Sequence, residues 1–435
     1  MNTSFQKLDN YKELIFLFLY STILFGYFFN EDTLGGAKPD FLHHYKISED
    51  FKDNFFQTLE IFGSKDMITR NSPVFWIIFG FLNKIISLEG LRFLNCISSL
   101  LVGVFFYKCL LIKFANQKKI YLIFLSSIIF LSPTIRSLSI WPYSLIWGLL
   151  FLIISIYYFL QLQKNTNPKN QFLIYIKILS FLILSSYIYP AFGIFYLYFL
   201  YKIFLKFKFS KYLFFLLLYS LVLSIPAIYY FFVNDMITSF TSAAGLGVSI
   251  SQKLNISNKI MIISTMFLFF TLPIINLKKT FFDIKKINYK IILFILFFSA
   301  INIYYFDFPY IVGGSWGGGF FHKFSNIIFN NNLFFYIVFI LSLLIIFSVL
   351  SKNKSNYLLL ILLVLFNPQF TIYNKYYDPL IYILFLTLFK LDMNKHYFKK
   401  DNNNIPTPLS EYQQAPRAAL ARLNIGLFTS VMTRR

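Results

Sequence analysis

Carboxylates are scarce in this chain. Its 435 residues include 18 Asp and Glu against 40 Lys and Arg, and charged residues of both signs make up only 13% of the total. A soluble globule of this size needs more charged surface, so that class is excluded. Cysteine is nearly missing as well: Cys96 and Cys109 stand apart in apolar sequence. Two such residues form neither a metal-ligand spacing nor a disulfide framework, and they read as small core residues. No repeat of fixed period and no inverted symmetry between halves is visible, which weighs against a secondary transporter built from paired broken helices. The glycine-rich stretch Gly313-Gly-Ser-Trp-Gly-Gly-Gly319 lacks the Gly-Lys-Ser/Thr ending of a nucleotide-binding loop.

What the chain has instead is apolar length. Hydrophobic residues reach 57% and aromatic residues 22%, in recurring runs of about 17 to 25 residues, the length that crosses a bilayer as a helix. The expected fold is therefore all-α, a polytopic transmembrane helical bundle. The formal charge of +22 does not point to nucleic acid, because the lysines lie in short clusters between apolar runs. That is how cytoplasmic loops fix orientation. The 59 Phe and 31 Tyr are read as lipid-facing and interfacial packing, with no cofactor inferred from them.

Those clusters set the expected topology. Lys7 and Lys12 precede the first apolar run, Leu14–Phe29, and no small-residue cleavage site follows it. It is expected as an uncleaved first helix that starts in the cytoplasm. Pro73–Ser87 is short and interrupted by Asn83 and Lys84, and a full crossing there would leave Lys108, Lys113, Lys118 and Lys119 outside. Residues 73–88 are thus expected to be a re-entrant or interfacial helix, with Leu91–Ile112 as the second span. Ser132–Trp141 reads as a short external turn between spans, Asp307–Asn326 as a glycine-rich external loop, and Pro379–Phe389 as the last span. Alternation gives about twelve spans, eleven to thirteen, over residues 1–400, with both termini cytoplasmic. Residues 401–435 change character: Pro406 and Pro408 mark a linker, and four of the seven arginines follow with no lysine. This tail is expected to be disordered or foreign to the rest and is set aside from function.

One segment reverses the charge balance. Residues 30–72 hold eight of the eighteen carboxylates, Glu31, Asp32, Asp40, Glu49, Asp50, Asp53, Glu60 and Asp66, and are expected to form a large first external loop carrying interfacial helices. Other noncytoplasmic charges fall at the outer ends of expected helices, among them Arg70, Arg92, Arg136, His322, Lys323 and Lys375. Ionisable groups are costly in hydrocarbon, so these positions face water or carry function. Together they would ring an outward-facing cavity with carboxylates opposite cations, which suits an anionic lipid-linked substrate.

Asp40-Phe-Leu-His-His-Tyr45, then Arg70-Asn-Ser-Pro73 opening an apolar segment, then Leu91-Arg-Phe-Leu-Asn95 ahead of a long span, resemble the opening of GT-C superfamily membrane glycosyltransferases. Leu131-Ser-Pro133, Arg136 and Ser139-Ile-Trp-Pro142 resemble the external turn that follows in that superfamily. The likeness spans roughly residues 14 to 160 and identifies no subfamily. The chain departs from the commoner pattern at His43-His44, where an Asp-x-x-x-Tyr arrangement is usual, and at Ser72-Pro73, where two prolines are common.

The resemblance implies transfer of a sugar from a polyprenyl-phosphate carrier to a cell-envelope glycan or glycolipid acceptor. The site would face the periplasm or exterior of a bacterial inner membrane. It also implies a first-loop carboxylate as general base, with Asp40 the first choice and Asp32 the second. From their helix-end positions, Arg136 and Lys375 are the leading phosphate-binding candidates, and Arg70, His322 and Lys323 join them as cationic candidates. His43 and His44 are expected to hydrogen-bond, since neighbours on one loop cannot easily reach one ion together. Trp316 would stack on a sugar or carrier. No resident metal or cofactor is expected, although a divalent cation is left open. Expected partners are the donor, the acceptor and membrane lipids, without nucleic acid. Two alternatives stand beside this reading: an O-antigen polymerase or ligase, and a non-enzymatic flippase or transporter of a lipid-linked glycan.

Overall fold

The computed structural model describes residues 11–32, 37–62, 67, 72–162, 168–233, 255–308, 317–350, 353–367 and 372–390. Arg70, Trp316 and residues 401–435 lie outside the described residues, as does the side chain of His43. The described residues are helical almost throughout, with two isolated bridges in place of any sheet. Five helices are long and apolar enough to cross a membrane: Leu88–Lys113, Ser144–Leu162, Asn170–Ile188, Pro190–Phe207 and Lys211–Tyr229. A sixth span results if the bent pair Lys119–Leu131 and Pro133–Ile140, which meet at 66°, is taken as one. Six further apolar helices run only 10 to 17 residues, short of the ~20 that span a hydrocarbon core upright. The chain has the character of an integral membrane protein, and it divides into two compact units, residues 1–252 and 253–435.

In the first unit, α1 (Lys12–Phe28) leads into α2 (Ala37–Asp53) and the short α3 (Phe55–Ile61). The next element, α4 (Pro73–Leu82), begins where Ser72 accepts a hydrogen bond from Val74 N and Pro73 supplies a preset φ. On α2, Phe41, Ile47, Ser48 and Phe51 are buried, a helical stripe that seats it on α4. Gly80 permits the close approach: a Cβ there would stand 2.7 Å from the Ser48 carbonyl oxygen. Phe51, Phe62, Phe75, Trp76, Phe79, Leu91 and Ile188 close this core.

The long helices follow: α5 (Leu88–Lys113), α6 (Lys119–Ser127), α7 (Pro133–Ile140), α8 (Ser144–Leu162), α9 (Pro168–Ile188), α10 (Tyr196–Phe207) and α11 (Lys211–Val233). The expected turn at 132–141 is thus a helix, because Ser132 caps it by accepting from Ile135 N and Pro133 occupies its first position. Both α5 and α9 pack along α8, while α1 lies against α5, α6 and α7. Pro226 interrupts α11. There the Tyr187 hydroxyl donates to the Leu223 carbonyl at 2.6 Å and accepts from Ala227 N at 3.3 Å.

The second unit is organised on α12 (Ile256–Thr271). It comprises α13 (Leu277–Ile284), α14 (Tyr289–Tyr304), α15 (Phe320–Phe329), α16 (Leu333–Val349), α17 (Lys354–Leu365), α18 (Asn374–Tyr377) and α19 (Leu380–Thr387). Helices α14, α15, α16, α17 and α19 all touch α12. The last apolar run behaves differently from a lipid-facing span, since every residue from Leu380 to Phe389 is buried in this unit.

Candidate functional site

The first unit gathers its polar residues where α1 ends. Glu31 N donates to Gly26 O at 2.8 Å, and Asn30 takes the left-handed conformation at φ 53°. This is the helix-stop geometry that favours Gly or Asn. The side chain of Asn30 then accepts from Arg92 Nη1 at 2.7 Å. Arg92 sits in the first turns of α5 and is only 2% exposed. Its Nη1 also meets both Glu89 carboxylate oxygens at 3.0 Å, and its Nε donates to the Ile140 carbonyl at 3.3 Å. The guanidinium carbon lies 4.0 Å from the Trp141 ring centroid, a stacking distance for a cation on indole. Nη2 is buried and has no hydrogen-bond partner among the described residues.

Trp141 links this arginine to the acidic segment. Its indole N–H donates to the Glu31 carbonyl at 2.9 Å. The Glu31 carboxylate in turn pairs with Arg136 of α7, with Nη2 and Oε2 2.5 Å apart and Nε to Oε1 at 3.3 Å. Both side chains are about a quarter exposed, 22% for Arg136 and 26% for Glu31. The pair is therefore half-screened rather than dry, and its worth is on the order of 1.5–3 kcal/mol. Beneath it Asn95 donates to the carbonyls of Leu138 and Ser139 at 2.7 Å and accepts from Trp147 Nε1 at 3.0 Å, fixing α5, α7 and α8 together.

Helix α2 enters the same cluster. Lys38 Nζ is 5.2 Å from the Trp141 ring centroid, and the buried Phe41 ring is 6.0 Å from it. Asp40 lies between these two contacts in the first turn of α2, where a carboxylate is favoured by the helix dipole. Asp32 is exposed, one residue beyond Glu31. One turn on from Asp40, the His44 ring stands 5.4 Å from Trp76. The residues next to Asp32 and Asp40 in sequence, Glu31, Lys38 and Phe41, thus make contacts to Arg136 or Trp141, whereas His44 turns toward the α2–α4 core. Burial raises the Tyr45 hydroxyl above its usual pKa, which keeps it a protonated donor at neutral pH.

From sequence, Glu31 counts only as one of the acids of the first loop, Arg92 only as one of the charges around the expected cavity, and Trp141 only as part of a turn motif, none of them with a role of its own. The signal for Arg92 was present, since it is one of only three arginines before residue 400. Arg136 was chosen for a phosphate, but its guanidinium is engaged by Glu31 before any ligand arrives.

The other candidates lie in the second unit. His322 on α15 is 3% exposed, with Phe306, Phe308 and Phe335 around it at ring-centroid distances of 5.5, 5.2 and 5.2 Å. Burial, reinforced by Lys323, pushes its pKa down to about 4. Lys323 is likewise lowered by burial. Lys375 on α18 lies near the rings of Tyr373 and Tyr376 at 5.5 and 5.7 Å. Sequence reading missed Lys259, which is 2% exposed on the first turn of α12 and donates to the Asn367 carbonyl. Its signal was a lone lysine opening an apolar run. Next to it Asn258 and Asp307 exchange two hydrogen bonds, Nδ2 to the Asp307 carbonyl at 2.5 Å and Asp307 N to Oδ1 at 3.0 Å.

Among the described residues no three His, Cys, Asp or Glu side chains converge as a metal site. Comparison of the chain with protein-family models, with curated proteins and with solved structures finds no match.

Proposed function

We propose that this chain is an integral membrane glycosyltransferase of the GT-C kind, which moves a sugar from a polyprenyl-phosphate carrier to an envelope glycan or glycolipid. In this reading the chain has about twelve spans, the shorter apolar helices other than Pro73–Leu82 crossing where the bilayer thins locally or flanking residues snorkel. The polar cluster of the first unit faces the periplasm or exterior, and both termini are cytoplasmic.

The observation that carries the reading is the convergence on Trp141. Asp40, in the first turn of α2, sits between Lys38 and Phe41, both of which approach that ring, and the Glu31–Arg136 pair and Arg92 anchor the chain that leads to it. A general base must be held rigidly against the proton it removes. The two arginines and the tryptophan act as positioning groups: Glu31 beside Asp32, and Lys38 and Phe41 on either side of Asp40, are the residues they hold.

Chemically, Asp40 takes the proton of the acceptor hydroxyl as its oxygen attacks the anomeric carbon. The bond from that carbon to the carrier phosphate breaks, and the phosphate departs with the electron pair, giving inversion. Cations near the departing oxygen lower the barrier by stabilising developing charge.

The test is transfer by purified protein in lipid, measured against a panel of polyprenyl-phosphate sugars. Asp40→Asn should abolish transfer while expression and thermal unfolding stay as in the parent. Normal turnover in that variant removes Asp40 from the mechanism. Movement of intact lipid-linked glycan between leaflets, with no new glycosidic bond, would replace the enzyme by a flippase.

A further inference from the structure

Helix α15 is entered in an unusual way. Gly317, Gly318 and Gly319 precede it with φ of 93°, 97° and 76°, all in the region that side chains avoid. Gly317 bridges to Ile372, and Gly318 N donates to the Ile372 carbonyl at 3.0 Å. A Cβ on Gly317 would overlap that carbonyl, so the segment is tied backbone to backbone. The helix then starts with Gly319 as its cap residue and no side chain capping it. The first-turn amides of Phe320, Phe321 and His322 have no intrahelical acceptor, and they point out of the positive end of the helix dipole.

A second observation concerns His322 itself. It is 3% exposed, and its Nδ1 has no hydrogen-bond partner among the described residues. That atom faces the helix entry: a Cβ on Gly318 would stand 3.0 Å from it. A buried ring nitrogen without a partner costs roughly 1–3 kcal/mol, so its persistence calls for a partner supplied from outside. At Gly318 only a bare α-carbon stands beside Nδ1, so no side chain fills the space next to the imidazole. Lys323 adds a cation at the next position. Beside the same turn, Met266, Phe269, Phe270, Phe320 and Phe321 line a small cavity that Asn374 closes.

We propose that the amino-terminal end of α15, with Gly318, His322 and Lys323, is a binding site for a phosphoryl group, and that the phenylalanine-lined cavity takes the start of an apolar chain attached to it. Oriented amides after a glycine segment, a neutral imidazole donor and a lysine suit a tetrahedral oxyanion. A carboxylate would use fewer of these donors. The assignment concerns the second unit alone and does not depend on the transferase reading. Its ligand chemistry is shared by a lipid headgroup and by free phosphate.

Full-length protein labelled with 15N-histidine separates the two sources. The chain has four histidines, and a His322→Gln variant identifies the resonance of interest. Inorganic phosphate is titrated in detergent, and phosphatidic acid is compared with diacylglycerol of the same acyl chains in phosphatidylcholine nanodiscs. The proposal expects phosphate or phosphatidic acid to move the His322 resonance and to raise its titration midpoint by at least about one unit, since a dianion favours the charged ring. Lys323→Gln should raise the half-saturating concentration about tenfold, the loss of one charge-assisted contact. A response to phosphatidic acid alone assigns the site to a lipid headgroup, and a response to phosphate alone assigns it to a soluble ligand. A His322 resonance that stays in place with both, or moves as far with diacylglycerol, overturns the proposal.

Discussion

The two units hold their buried nitrogen groups by opposite means. In the first, Arg92 and Arg136 meet carboxylates, backbone carbonyls and an indole face. In the second, His322 meets three phenyl rings, and Lys259 meets a backbone carbonyl. A cation bonded on several sides ties elements together, and removing it takes a contact from each of its partners. An imidazole surrounded by phenyl edges ties little, and stays only by remaining uncharged. The arginine cluster therefore reads as scaffold for the acids beside it, while the histidine reads as a group awaiting a ligand.

The contrast can be broken most sharply through catalysis. If the arginine cluster exists to position a base, Asp40→Asn should cost about 10²–10⁴ in transfer rate with no change in unfolding temperature. Next is Arg92→Ala, which removes the bond to the Ile140 carbonyl and the stack on Trp141 while the exposed Glu89 and Asn30 return to water, and it should destabilise by about 1.5–3 kcal/mol. Thermal unfolding in detergent at neutral pH measures this, and a variant as stable as the parent would deny Arg92 its scaffold role.

His322 should give the opposite result. Its folded pKa of about 4 lies below the ordinary 6.5, so the unfolded chain binds the proton more readily between those values. Stability is then fully present above pH 6.5 and falls as the pH drops toward 4, by up to about 3 kcal/mol. His322→Phe should remove that slope and leave stability at neutral pH unchanged or higher, as read from unfolding temperatures between pH 4 and 7. An unchanged slope would place the acid sensitivity elsewhere. The last effect is expected at the Glu31–Arg136 pair, about a quarter exposed. Glu31→Gln and Arg136→Gln should each cost about 1.5–3 kcal/mol, and a double-mutant cycle should show that most of the loss is shared.

Much of the helical frame was legible because apolar length is a local property. Leu14–Phe29 and Leu91–Ile112 reappear with modest shifts as Lys12–Phe28 and Leu88–Lys113. Within residues 73–88, expected as one short re-entrant or interfacial helix, the helix runs Pro73–Leu82, started by its serine cap and proline. Residues 132–141 were misread as a turn because Ser-Pro marks both a chain reversal and a helix start, and only packing decides between them. For Pro379–Phe389, expected as the last span, the sequence could not say that its faces are covered by protein, because burial in protein and burial in lipid select the same side chains. The pairing within the polar cluster was not legible. Charge and position nominated Asp32, Asp40 and Arg136, but the bond from Glu31 to Arg136 joins residues 105 apart, and no local pattern reports such a pairing.

Tyr187 gives the fold a property that composition does not announce. A proline in a lipid-exposed helix leaves backbone dipoles that hydrocarbon cannot solvate, and α11 is largely exposed, with Leu221, Val222 and Ile225 beside Pro226 facing outward. At this weak point a phenol borrowed from α9 bridges Leu223 and Ala227, the office a trapped water fills in a wetter interior. The two backbone groups beside the proline are thereby satisfied from α9, and α11 is pinned to its neighbour at the one turn where its own ladder is incomplete.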